Sequence, residues 1–183
     1  HCVTRRQRQM CIRDSGNCNK FFVSDDIFDQ TFDVLVTRAE PLGIEIVKKN
    51  IEKISIDQSF FGCYIQYTGK YGKIHNLKTI SEILNSHNIK LIVAADLLSL
   101  CILEKPSLFN CDVVVGTSQR FGIPLGYGGP HAGYFATKKE YKRSIPGRII
   151  GVSKDRNGNR ALRMALQTSC LLYTSPSPRD LRK

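Results

Sequence analysis

The residues of this chain best suited to chemistry gather between Cys111 and Thr137, in CDVVVGTSQRFGIPLGYGGPHAGYFAT. Gly126, Gly128 and Gly129 free the backbone to reach φ > 0 or to approach a ligand with no Cβ in the way, and Pro130 locks the φ that follows. Such a loop offers amide N–H groups to a phosphate or another anion, and it serves equally as a tight turn with nothing bound. Spacing excludes two common nucleotide signatures: no Gly-Lys-Ser/Thr closes the loop, and no Gly-x-Gly-x-x-Gly opens a helix. His131 follows Pro130 and either contacts a carboxylate or relays a proton near neutral pH, or else bonds the loop backbone. Tyr127, between two glycines, either points into a channel or onto a partner surface, or packs. Arg120 carries a permanent charge and either binds a carboxylate or phosphate or makes an ion pair within the fold.

These residues need a scaffold, and the apolar periodicity supplies one. Asp26 to Glu40 places Ile27, Phe28, Thr31, Phe32, Leu35 and Val36 near helical spacing, with Ser24, Asp25 or Asp26 available as N-cap. Ile44 to Val47 and Gly62 to Tyr67 read as strands. His75 to His87 reads as a helix with Leu77, Ile80, Ile83 and Leu84 on one face, and neither flanking histidine takes a functional role. Lys90 to Ala95 and Asp112 to Val115 are short apolar strands, the second ended by Gly116, and a mostly helical connection between them closes near Pro106. Asp155-Arg156-Asn157-Gly158-Asn159 is a polar hairpin turn or loop. Strands alternating with helices predict a largely parallel sheet covered on both faces, and about 150 residues suffice for one such α/β core. Ligands of these sheets bind beyond the carboxyl ends of the strands. Asp96 stands at one such end, where it either caps the helix-like Leu97 to Leu103 or meets a ligand.

Composition narrows the class of partner. The 183 residues hold 27 Lys and Arg against 16 Asp and Glu, a formal charge of +11. The densest cationic run, Lys138 to Arg148, is a solvated face or a contact for an acidic partner. No RNP motif or Cys/His finger supports nucleic-acid binding. Of the seven cysteines, Cys18, Cys63, Cys101 and Cys111 are widely spaced, with no Cys-x-x-Cys pair and no histidine at ligand spacing, so neither a zinc site nor a disulfide framework is expected. Apolar neighbours predict that Cys101 and Cys111 are small buried core residues. No apolar run is long enough to span a membrane, and a soluble intracellular protein is expected.

Longer motifs carry a family resemblance. GTSQRFGIPLGYGGPHAGYFATKKEYKRSIPGRIIGVSKDRNGNRALRMALQT, preceded in order by FFVSDDIFDQTFDVLVTRAEPLGIEIV, FFGCYIQYTGKYGKI and VAADLLSL, resembles the P-protein family of the glycine cleavage system. The resemblance covers Asn19 to Thr168, in the amino-terminal half of the family's full chain. It implies part of the large domain of an aspartate-aminotransferase-like (fold type I) pyridoxal-phosphate enzyme, an α/β fold with a mostly parallel sheet and flanking helices. The implied activity of the parent is glycine decarboxylation, with transfer of the aminomethyl group to the lipoyl arm of H-protein. The implied assembly is a homodimer or a heterotetramer. The implied compartment is the cytoplasm of a bacterium or the matrix of a mitochondrion.

The resemblance also assigns roles. In such enzymes a carboxylate at the position of Asp96 can pair with the pyridinium nitrogen of the cofactor. The Schiff-base lysine of the family's catalytic half falls, relative to the glycines, where this chain has Gln119-Arg120. A guanidinium forms no internal aldimine, so the chain resembles the half without the lysine, and pyridoxal phosphate is expected in the other half or subunit. Arg120, Gly126, Tyr127, Gly128, Gly129 and His131 are then candidates for a substrate or interface pocket, Asp96 for a cofactor contact, and no residue here for the covalent step. The alternative is a non-catalytic module that dimerises with the lysine-bearing half or docks H-protein through Lys138 to Arg148.

Both chain ends read differently. Thr4 to Ser15 and Cys170 to Asp180 resemble translated sequencing-library adapters, so residues 1–15 and 169–183 are expected to be disordered tails around a fragment, 16–168, of the large domain. The tails hold seven of the cations and two of the acids, which leaves +6 for the remainder.

Overall fold

A computed structural model describes residues 18–51, 59–128, 132–143, 145 and 148–167. They fall into two compact units, one of Ser15–Lys138 and one that takes the described residues from Lys139 onward.

The larger unit is built on six strands: β1 (Lys20–Ser24), β2 (Glu45–Lys49), β3 (Phe60–Tyr67), β4 (Lys90–Ala95), β5 (Val113–Thr117) and β6 (Gly133–Thr137). They lie in the order β2-β1-β3-β4-β5-β6, the first five parallel and β6 antiparallel to β5. Helices α1 (Asp29–Ala39) and α2 (Leu77–Ser86) return the chain between strands. This is the mostly parallel α/β sheet expected from the alternation of elements.

Alternation along the strands divides the core into two faces. Phe22, Cys63, Ile65, Tyr67, Leu91, Val93 and Ala95 turn one way and join Leu77 and Leu84 of α2. Val23 and Tyr64 turn the other way with Ile27, packed by Ile92, Ala94 and Val115 and by Phe32 and Leu35 of α1. Full burial of a Phe, Leu or Ile side chain contributes about 1.5–3 kcal/mol. Phe22, Ile27, Ile65, Leu77, Leu84 and Leu91 are all at that limit.

Several local expectations need correction. Helix α1 begins at Asp29 after Phe28, which makes no side-chain cap. Asp26 is turned inward instead, where its carboxylate accepts from the amide of Tyr71. Strand β5 runs through Gly116 to Thr117, because the antiparallel β6 gives its backbone a ladder to continue along. The connection from β4 to β5 forms two 3-10 turns, Ser99–Cys101 and Pro106–Phe109, rather than a longer helix. Leu100 and Leu103 pack on the core while Cys101 and Ile102 face outward, so Cys101 is exposed rather than buried; Cys111 is buried as expected. Asn76 caps α2, its Oδ1 accepting from the Thr79 amide.

The second unit contains a hairpin of β7 (Arg148–Lys154) and β8 (Arg160–Gln167), paired antiparallel. Its turn is the polar segment foreseen, with Asp155 Oδ1 accepting from the amides of Asn157 and Asn159, both at 2.8 Å, and Gly158 at φ 85°. Those hydrogen bonds, that of Asn159 first, hold the Asp155 carboxyl below its usual pKa. Among the described residues no helix is long and apolar enough to cross a membrane. No group of His, Cys, Asp and Glu among them could hold a metal ion.

Candidate functional site at the carboxyl edge of the sheet

Strands β4 and β5 end side by side, which places the residues that follow them together. Arg120 lies on a 3-10 turn, Gln119–Phe121, that Gly122 closes at φ 103°. Its Nη1 meets Asp96 Oδ2 at 2.8 Å, although the two residues are far apart in the chain. The other Asp96 oxygen accepts from the Leu98 amide at 3.2 Å, and its backbone carbonyl accepts from the Ser99 hydroxyl at 2.7 Å. Asp96 therefore caps the turn that follows it and also anchors the guanidinium. The Arg120 side chain remains two-thirds exposed, so its remaining donors face solvent at the edge where ligands of such sheets bind.

The glycine loop departs from this turn and returns at a clamp. The Ala132 carbonyl accepts from the Ser118 amide at 2.9 Å and from the Ser118 hydroxyl at 3.1 Å. Between these ends Gly126, Tyr127 and Gly128 are all left-handed, at φ 46°, 55° and 86°. That conformation costs a glycine little and is an outlier for a bulky tyrosine. The Tyr127 side chain is fully exposed. Gly129 and His131, the other two loop candidates, lie outside the described residues.

Two features of this edge were not found from sequence. Tyr134 stands opposite Gly116 in the β5–β6 register and donates its hydroxyl to the Ala95 carbonyl at 2.7 Å, at the end of β4. A Cβ on Gly116 would land on that same Ala95 oxygen and come within 2.6 Å of the Tyr134 ring. Burial first, and then the Asp96 charge, raise the pKa of the Tyr134 hydroxyl, which keeps it a donor. The second feature is Gln119, whose Nε2 is buried beside Arg120 without a hydrogen-bond partner. A tyrosine one residue into a strand after a glycine loop was the available signal for the first; nothing local marked the second.

The donor set does not suit a covalently held pyridoxal cofactor. The residues directly after β5 include no lysine, and Gln119 and Arg120 stand there instead. The nearest later lysine in this unit, Lys138, is committed to Asp112, Nζ to Oδ1 at 2.9 Å. The Asp96 carboxylate is likewise occupied by Arg120 and the Leu98 amide.

Comparison with known proteins fixes the family. The family model described as glycine cleavage system P-protein matches residues 7–170. The chain belongs to the glycine cleavage system P-protein family. The glycine dehydrogenase (decarboxylating) of Flavobacterium johnsoniae is 57% identical over 153 residues, which cover 84% of this chain and 16% of that one. The chain thus spans about a sixth of the length of the curated relatives it matches. A crystal structure of glycine decarboxylase (P-protein) of the glycine cleavage system, in inhibitor-bound form, superposes with a TM-score of 0.77 at 25% identity, over 90% of this chain and 38% of that one. Cystathionine gamma-lyase from Lactobacillus plantarum shares the fold alone, with a TM-score of 0.55 at 14% identity over 74% of this chain and 36% of that one. The mixed α/β architecture with a mostly parallel sheet is one this chain shares with both of these enzymes.

Proposed function

We propose that this chain is part of a glycine decarboxylase, from the half of a P-protein that lacks the Schiff-base lysine. The parent enzyme decarboxylates glycine through pyridoxal phosphate and passes the aminomethyl group to the lipoyl arm of H-protein. The cofactor, its lysine and the bond-breaking step belong to the other half or subunit. The observation that carries this reading is the Asp96–Arg120 pair, because it puts a fixed guanidinium at the ligand edge where a catalytic half needs an amine. A guanidinium cannot lose its proton at working pH, so its contribution is permanent positive charge with several donors, suited to a carboxylate or a phosphate. Asp96 orients that charge, and the left-handed Gly126 to Gly128 turn shapes the rim beside it. His131 is proposed as a further contact on the same rim. With bacterial relatives, the proposed site of action is the cytoplasm.

The test is Arg120→Ala in the full-length enzyme, read by glycine–bicarbonate exchange and by H-protein affinity. A loss of about tenfold in exchange, equivalent to roughly 1.4 kcal/mol in the barrier, is expected. Wild-type exchange with unaltered H-protein affinity sinks the role given to Arg120. Docking of H-protein on the basic run is a separate reading, favoured by the exposed Lys139 at the start of the 3-10 turn Lys139–Arg143. It requires affinity that weakens with salt and with charge reversal at Lys139 and Lys142.

A further inference from the structure

The chain order of the strands reverses between β1 and β3, since β2 lies on one side of β1 and β3, β4 and β5 follow on the other. Open α/β sheets bind ligands in the crevice at such a switch point. In this chain that place is filled. Asp26, beyond the end of β1, and His75, at the end of the segment after β3, have side chains only 9% and 4% exposed, and Oδ2 and Nε2 face each other at 3.3 Å. The distance is within ion-pair range, yet the alignment makes no hydrogen bond, and neither atom has another partner. The imidazole tautomer with hydrogen on Nε2 would aim a donor toward Oδ2, and at this separation a small rotation of either side chain completes the bond.

The segment between β3 and α2 is tied to Asp26 at every level. The Asp26 backbone carbonyl accepts from the Lys70 amide at 3.0 Å, and Asp26 Oδ1 accepts from the Tyr71 amide at 3.3 Å. The segment closes on itself through the Gly69 amide to the Lys73 carbonyl and the Gly72 amide to the Gly69 carbonyl. Gly69 is required, because a Cβ there would overlap the Asp26 carboxylate. Outside, Lys70 pairs with Asp29 at the start of α1. Lys70 to Ile74 are five exposed residues held between two buried anchors, Gly69 and His75.

We propose that Asp26 and His75 form a latch that pins the loop from Thr68 to Asn76 across the crevice between β1 and β3. The switch point of this half is thereby closed by the chain itself, and ligand chemistry is confined to the edge of β4 and β5. The latch does not depend on the decarboxylase reading, and its readout is amide exchange rather than activity.

The experiment is hydrogen exchange on the full-length polypeptide carrying His75→Ala, with the amides of Lys70 and Tyr71 compared with those of Leu91 and Val93 in the central sheet. Exchange at Lys70 and Tyr71 is expected to rise about tenfold or more while Leu91 and Val93 keep their protection, and free imidazole is expected to restore the loop by refilling the site. His75→Gln, which keeps a donor for Oδ2, should hold the loop near its wild-type rate, and Asp26→Asn, of matching volume, should release it. Unchanged exchange in both His75→Ala and Asp26→Asn, an equal rise at loop and sheet, or a loop that imidazole does not restore overturns the latch. Should His75→Ala fail to fold, the contrast between His75→Gln and Asp26→Asn carries the same decision.

Discussion

At the residue scale, the position with least freedom at the candidate site is Gly116, which sequence reasoning took for a strand terminator. Its role is a close approach: the Ala95 carbonyl and the Tyr134 ring occupy the space a side chain would need. The Ala95 oxygen is backbone and cannot move without shifting the end of β4, so relaxation is costly. Gly116→Ala is expected to destabilise the protein by about 1–3 kcal/mol, the usual cost of overpacking. Tyr134→Phe removes only the bond to the Ala95 carbonyl and should cost about 1 kcal/mol. Urea denaturation of the two variants makes the comparison, and a Gly116→Ala midpoint at or above that of Tyr134→Phe contradicts the packing argument. From the sequence, Arg120 and Asp96 were each recognisable as groups placed for chemistry, but their pairing was not, because each position offered two sufficient local explanations. Asp26 and His75 were less legible still. A helix cap and a helix-flanking histidine are what local pattern makes of them, and only the tertiary approach of β1 to β3 brings them together.

At the element scale, the edge of the sheet is held by one carboxylate. Asp112 Oδ2 accepts from the Leu91 amide at the start of β4, and Oδ1 meets Lys138 Nζ just beyond β6. Its backbone carbonyl accepts from the Thr137 hydroxyl at 2.8 Å. The residue is 4% exposed, so a shortened side chain leaves a buried amide and a half-buried ammonium without their acceptor. Asp112→Ala is expected to cost about 3–5 kcal/mol, the range for breaking a buried pair by removal of one partner. Asp112→Asn keeps an acceptor for Leu91 and should lose less. Thermal unfolding of the two variants checks the order, and equal losses would mean that the Leu91 bond contributes nothing. The strands themselves were legible because apolar runs such as Leu91 to Ala95 admit few alternatives. Strand β1 and the arms of the hairpin were not, since FFVS is too short to show a period and the adjacent apolar pairs Ile149-Ile150, Ala161-Leu162 and Ala165-Leu166 break the alternation in β7 and β8.

At the scale of the whole molecule, the parallel sheet buries weak acids that hold their protons in the folded state above their ordinary pKa range. Burial pushes the Cys63 thiol far up from its ordinary value of 9.0. Burial, followed by the charge of Asp112, pushes Cys111 up to about 12, and burial pushes the Tyr64 hydroxyl from 10.0 up to about 12. Each folded value lies above its unfolded one, so the folded state retains protons that the unfolded chain has released. The resulting stabilisation is complete below about pH 9 and is lost as the pH rises toward about 12, each group adding at most about 1.4 kcal/mol per pH unit to the slope. Urea midpoints measured at pH 8, 9.5 and 11 should therefore fall progressively, with the steepest loss above pH 10, where Tyr64 joins the two thiols. Cys63→Ala should start lower at pH 8, because it leaves a cavity in the core, and then decline with a shallower slope. Midpoints that stay level between pH 9.5 and 11, or a Cys63→Ala slope as steep as the wild type, would mean that these groups are reached by solvent and that the two-faced core does not close around β3.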